Sequence, residues 1–189
     1  NYFKLYDPDL ENSLEEEYQN GTTLGRDFSK NKEYADKYIA AKGDDPQRYI
    51  DFSSEYEIRQ PSLIFAEIQA HYNDVYMYLW DWDSQIEGLG AAHAVELPFV
   101  FGNFDSVTAK RTAGEDLPEE LLLKLQAAWA AFPTSGNPTI EDEVEWPKFD
   151  VDGRQTMVID DGEWEAVSDP LPEGKEYLRA MFDVIIPSE

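Results

Sequence analysis

Val75-Tyr76-Met77-Tyr78-Leu79-Trp80-Asp81-Trp82 is the segment that most restricts how this chain folds. It is aromatic and β-rich, and it carries no charge before Asp81. Such a run predicts a strand buried on both faces, as in the interior of an α/β sheet. Asn73-Asp74 breaks the chain ahead of it. A loop from about Asp83 to Ala92 follows, with Gly88 and Gly90, and leads into Gly90-Ala91-Ala92-His93-Ala94-Val95-Glu96-Leu97-Pro98-Phe99-Val100-Phe101-Gly102. A histidine held in a loop just past a sheet strand is well placed to move protons near neutral pH.

The residues before the strand read as short helices. Leu10, Leu14 and Tyr18 recur at four-residue spacing, with Asn12 and Ser13 available as caps and Gly21 as a stop. Phe28, Ala35, Tyr38 and Ile39 outline a second helix, closed by Gly43. Asp45-Pro46 reads as an N-cap followed by proline at the first helical position, opening a helix through Tyr49, Ile50 and Tyr56. Pro61 opens another, with Ile64, Phe65, Ile68 and Tyr72 on its apolar side. Beyond His93, Pro118 opens a long helix with Leu121, Leu125, Ala128, Trp129 and Phe132 on one stripe, expected to end before Pro133. Gln155–Ile159 and Trp164–Val167 flank Asp160-Asp161-Gly162 as a hairpin. A last helix, from about Glu173 to Val184, turns Tyr177, Leu178, Met181 and Phe182 inward. The class is α/β, but one or two sheet strands do not complete a doubly wound sheet.

Forty acidic residues against fifteen basic ones give a formal net charge of -25. That surface repels phosphate backbones and anionic lipid, so nucleic acid and membrane partners are discounted. The carboxylates are spread along the chain, as a solvated acidic surface or as adaptation to high salt. With 42% hydrophobic and 14% aromatic residues the composition is globular. The absence of cysteine excludes disulfides and thiol nucleophiles and favours a cytoplasmic setting. No apolar run approaches the ~18 residues of a membrane span, and Asn1-Tyr2-Phe3-Lys4 does not open a signal peptide.

From Val75 onward the chain resembles the C-terminal part of the type-B carboxylesterases, the family of cholinesterases and bacterial para-nitrobenzyl esterases. Four blocks carry the resemblance in order: the strand Val75–Leu79, the histidine block Gly90–Gly102, the helix running into Ser135-Gly136-Asn137-Pro138, and Trp146-Pro147-Lys148-Phe149. Met157-Val158-Ile159 follows as a short strand. About the last 110 residues match well, and the first 70 more loosely. The sequence departs from the usual Phe-Ala-x-Thr at Ala131-Phe132-Pro133-Thr134, a difference expected to matter for packing only.

The resemblance implies the C-terminal portion of an α/β-hydrolase fold: a helical region, one buried sheet strand, a His loop, a long helix, a short terminal hairpin and a final helix. Residues 1–72 would be the helical region near the active-site cleft and 73–189 the end of the hydrolase core, the N-terminal catalytic part being absent. No Gly-x-Ser-x-Gly nucleophile elbow occurs in the chain. Of a Ser-Glu-His triad it would therefore supply only His93, the general base, and be inactive alone. Its partners would be a small-molecule carboxylic ester and the rest of the same protein, with no metal and no organic cofactor. Glu96 has two readings, a carboxylate hydrogen-bonding near the catalytic centre or a helix-start acid near the dipole. Tyr2, Phe3 and Tyr6 are acyl-pocket walls or ordinary core aromatics. Trp80, Trp82, Phe99 and Phe101 are expected in the core, His71 is read as structural, and Asp160-Asp161-Gly162 as a turn rather than a calcium loop. Two other readings remain open: an esterase-like protein that has lost catalysis and serves in binding or adhesion, and an independent acidic helical domain.

Overall fold

The structure, a computed structural model, describes residues 7, 9–141, 144–162, 164–170 and 174–182. It divides into two compact units, a helical one up to Tyr72 that also holds residues 174–182, and a sheet-containing one at Asn73–Pro170.

In the helical unit, α1 (Leu10–Gln19) buries Leu10, Leu14 and Tyr18, the three residues at helical spacing. Asp9, rather than Asn12 or Ser13, is its N-cap residue. A two-residue ladder pairs β1 (Thr22–Thr23) with β2 (Arg26–Asp27). α2 (Lys32–Ala41) buries Ala35 and Tyr38. α3 (Arg48–Ser54) starts two residues beyond Pro46, because Asp45 accepts from the Gln47 amide at 2.9 Å and holds a turn there. α3 runs into a π-helical turn at Glu55–Arg59 and then α4 (Gln60–Ala70).

Pro61 therefore lies inside a continuous helical segment instead of starting a separate helix. Proline has no N–H, and its ring crowds the carbonyl four residues back. The wider π turn immediately before it supplies the space a regular α-turn denies. The core here is aromatic: the Phe28 and Phe52 ring centroids lie 5.0 Å apart, and Phe52 stacks on Tyr56 at 5.7 Å.

The final helix α8 (Lys175–Ala180) packs against α2 in this unit. Its buried Leu178, with Met181, completes the helical core, and Arg179 pairs at 2.7 Å with Glu67, which is 1% exposed. The last helix packs with the first helices because its apolar face and its cation both find their complements there.

In the second unit, β3 (Met77–Trp80) pairs parallel with β4 (Gln155–Ile159), and β4 pairs antiparallel with β5 (Glu165–Ser168). Opposite Tyr78 and Trp80 stand Met157 and Ile159; Trp80, Met157 and Ile159 are buried on this face, while Tyr78 is 37% exposed. α5 (Leu97–Phe101) and α7 (Glu119–Ser135) pack on each other. Trp80, Trp82, Phe99, Leu121, Leu125 and Ala128 fill one apolar cluster with Met157 and Ile159. The strand is not buried on both faces as expected. Met77 and Leu79, on the second face, stay half-buried, and Trp80 alone of β3 is buried.

α7 also passes through Pro133 rather than stopping before it. The Thr134 and Ser135 hydroxyls donate to the carbonyls of Ala130 and Ala131 at 2.7 and 2.9 Å. Gly136, at φ 78°, closes the helix by donating to the Phe132 carbonyl. These bonds secure the turn that proline weakens.

Three outcomes test this packing. Arg179→Met leaves the buried Glu67 carboxylate without its cation and should cost about 3 kcal/mol in denaturant unfolding. Phe99→Ala should cost about 3–5 kcal/mol, and Phe101→Ala, at a ring 70% exposed, no more than about 0.5 kcal/mol. Burial, opposed by Arg59 and a Gln60 hydrogen bond, holds the Glu55 carboxyl above its ordinary range. A folded state that holds this proton more tightly than the unfolded chain draws stability from it below the unfolded value of about 4.3. That stability is lost as pH rises through the folded value. Glu55→Gln should flatten that fall, measured as unfolding free energy against pH from wild type and variant.

Candidate functional site

The site is built on the chain that leaves β3. The Asp81 amide donates to the Ile159 carbonyl at 2.8 Å, extending the β3–β4 ladder by one bond, and Trp82 turns into the core at 6% exposure. The chain then closes a loop, with the Ser84 amide donating to the Gly90 carbonyl at 3.1 Å. Leu89 and Ala92, both buried, fix the returning limb. His93 is the next residue and its side chain is exposed. Ala94 follows at φ 70°, a left-handed conformation that a residue with a Cβ adopts only under strain.

α5 begins four residues after His93. Glu96 is its N-cap residue, half-buried, and makes no side-chain capping hydrogen bond. Pro98 stands in the first turn, where a missing N–H costs nothing. Phe99 is wedged at 5.2 Å from Trp80 and 5.0 Å from Trp82, so the helix that follows the histidine is anchored to the strand that precedes it. Burial, then the charge of Glu96, pushes the Tyr78 phenol up to about 12. Tyr78 thus remains a protonated hydrogen-bond donor at neutral pH.

The other expected positions separate. Tyr2, Phe3 and Tyr6 lie outside the described residues. Trp80, Trp82 and Phe99 are core, but Phe101 is exposed, because Phe99 already fills the inward position of this single-turn helix. His71 is the C-cap residue of α4. Asp160-Asp161-Gly162 makes a local bend, with the Asp161 amide donating to the Asp160 carboxylate. Among the described residues no group of three or more His, Cys, Asp or Glu stands close enough to hold a metal ion, and no helix is long and apolar enough to cross a membrane.

Sequence reasoning did not find two features. A cavity of about 210 Å³ is lined by Tyr76, Tyr78, Trp129, Phe132 and Trp146, among others. Its rings meet edge to face, Tyr78 on Trp129 at 5.1 Å and Tyr76 on Phe132 at 5.8 Å. It is a seam between sheet and helix, and neither His93 nor Glu96 lines it. The second feature is a set of hydrogen bonds from Ser84 and Gln85 to residues 112–116. A Ser-Gln pair in a polar loop carries no sequence signal of its own, since its partners are backbone groups about thirty residues away.

The carboxylesterase family model matches residues 6–171. The chain is 37% identical over 123 residues to the para-nitrobenzyl esterase of Bacillus subtilis (strain 168), a match covering 63% of this chain and 24% of that protein. It superposes on a solved PNB esterase with a TM-score of 0.68 at 31% identity, over 89% of this chain and 33% of the other. It shares its fold with a Geobacillus stearothermophilus carboxylesterase, at a TM-score of 0.70 and 24% identity over 94% of this chain and 38% of that one. The chain spans about a quarter of the length of the curated relative and a third of the solved PNB esterase. Its strand, histidine loop and covering helices are part of an α/β-hydrolase fold, and the chain belongs to the carboxylesterase family.

Proposed function

We propose that this chain is the C-terminal segment of a serine carboxylesterase, and that His93 is the general base of its Ser-Glu-His triad. The observation that carries this reading is the place of His93, exposed just past the loop that leaves β3, within the residues that the family model matches. The serine and the glutamate belong to the remainder of the parent protein. The sheet supports this: among the described residues β3 pairs with β4 alone, so its outer edge is open to a further strand.

In the parent, His93 Nε2 accepts the serine Oγ proton as Oγ attacks the ester carbonyl. The glutamate accepts from Nδ1–H and stabilises the imidazolium. Backbone N–H groups hold the oxyanion, and the alcohol leaves with the proton from His93. His93 then deprotonates water, which attacks the acyl carbonyl; the acid leaves as the serine Oγ takes the proton back from His93. Tyr2, Phe3 and Tyr6 would be acyl-pocket walls, and Glu96 a carboxylate hydrogen-bonding near the catalytic centre. The substrate is a small-molecule carboxylic ester, and the scheme needs neither metal nor organic cofactor.

A para-nitrobenzyl ester is a suitable probe. The full-length protein should hydrolyse it and should label with a fluorophosphonate. His93→Ala should lower kcat by at least about 10²–10⁴-fold. The 189-residue chain alone should be inert. Turnover by that chain, abolished by His93→Ala, would overturn the assignment, as would a full-length protein that never labels. The latter result would move the function to binding.

A further inference from the structure

The loop between β3 and His93 is tied, at its first two residues, to the far end of α6 (Val107–Thr112). The Ser84 hydroxyl donates to the Thr112 carbonyl at 2.6 Å and accepts from the Ile86 amide at 3.0 Å. The Gln85 amide donates to the Ala113 carbonyl at 3.0 Å. The Gln85 side chain uses both ends of its carboxamide. Nε2 donates to the Asp116 carbonyl at 2.7 Å, and Oε1 accepts from the Glu115 amide at 3.2 Å. Gln85 also occupies the space above Gly114. A Cβ there would stand 2.3 Å from Oε1 and 2.7 Å from the Gln85 Cβ.

From this anchor the restraint reaches the histidine in few steps. The Ser84 amide holds the Gly90 carbonyl, and the same carbonyl accepts from the Ala92 amide at 2.8 Å. The Ala92 carbonyl accepts from the Val95 amide at 3.2 Å, and these bonds bracket His93 and the strained Ala94. Strain of that kind persists only where surrounding bonds over-determine the backbone. An exposed glutamine making two side-chain bonds to backbone groups of the α6–α7 connection is a clamp on the loop's start.

We infer that Gln85 is a positioning residue for the esterase reaction, acting through the 84–92 loop to hold His93 in register with the serine. This rests on the assignment of His93 as the general base. Gln85 touches neither substrate nor reacting atoms, so its removal should cost rate rather than binding.

The experiment uses the full-length enzyme and a para-nitrobenzyl ester. Gln85→Met keeps the length of the side chain and loses both carboxamide bonds. It should lower kcat about 10- to 100-fold, the scale set by small misplacements of a catalytic group, with KM and thermal midpoint nearly unchanged. Gln85→Glu keeps the acceptor for Glu115 and loses the donor to Asp116, and should fall between Met and wild type. Gly114→Ala pushes the clamp apart from the other side and should reproduce the kcat loss. Glu87→Ala, an exposed change on the same loop, should leave the rate at its wild-type level. An enzyme that depends on His93 but keeps its kcat in both Gln85→Met and Gly114→Ala overturns the clamp alone. Gln85→Met that lowers thermal stability while kcat holds assigns Gln85 a merely structural role and overturns it too. If His93→Ala leaves turnover intact, the assignment of the base fails and the clamp fails with it.

Discussion

The parallel pairing of β3 with β4 is the constraint on which the rest of this unit depends. The four registered pairs run from Met77–Thr156 to Trp80–Ile159, between strands far apart in the chain. Such pairing must meet a large loop-closure entropy before it gains anything. What offsets that cost is the apolar face the register creates. Trp80 lies opposite Ile159 and beside Met157, and α5 and α7 close over these three side chains. A slip of one residue would turn the other set of side chains toward the helices and expose the aromatic ones. The exit point of β3, and hence the position of His93, is set by this register.

The helical unit is held together differently. Its aromatic core is interrupted by carboxylates that water does not solvate well, and each has a cation set against it: Glu67 with Arg179, Glu57 with Arg26, Glu55 with Arg59. A chain with 40 acidic residues and 15 basic ones has few cations for such work. Placing them beside buried acids rather than on the acidic surface is where they contribute most, since exposed pairs contribute little and an unpaired buried charge costs several kcal/mol.

Legibility followed the range of the interactions. Leu10, Leu14 and Tyr18 announced α1, and Leu121, Leu125 and Ala128 announced α7, because helical periodicity is local. The hairpin at Gln155–Ser168 was legible for the same reason. The two prolines misled: Pro61 and Pro133 read as boundaries, yet the π turn in one case and the Thr134 and Ser135 hydroxyls in the other carried the helix past them. Phe101 misled because an apolar residue beside a buried one shows no local sign of facing outward. The histidine itself was legible, while its anchor at Ser84 and Gln85 was not, because that anchor is made with backbone groups of residues 112–116.

The sequence by itself determined the main helices and the strands of the sheet, that no thiol chemistry takes place in this chain, and that His93 follows the loop that leaves a strand. Apolar period, cysteine count and turn residues are written in neighbouring positions. The tertiary structure decided the parallel register of β3 on β4 and the packing of α8 in the helical unit. It also decided which carboxylates are buried against a cation and which backbone groups Ser84 and Gln85 bond. These follow from groups meeting across long stretches of chain, where the outcome depends on what burial leaves unpaired and not on any residue's immediate neighbours.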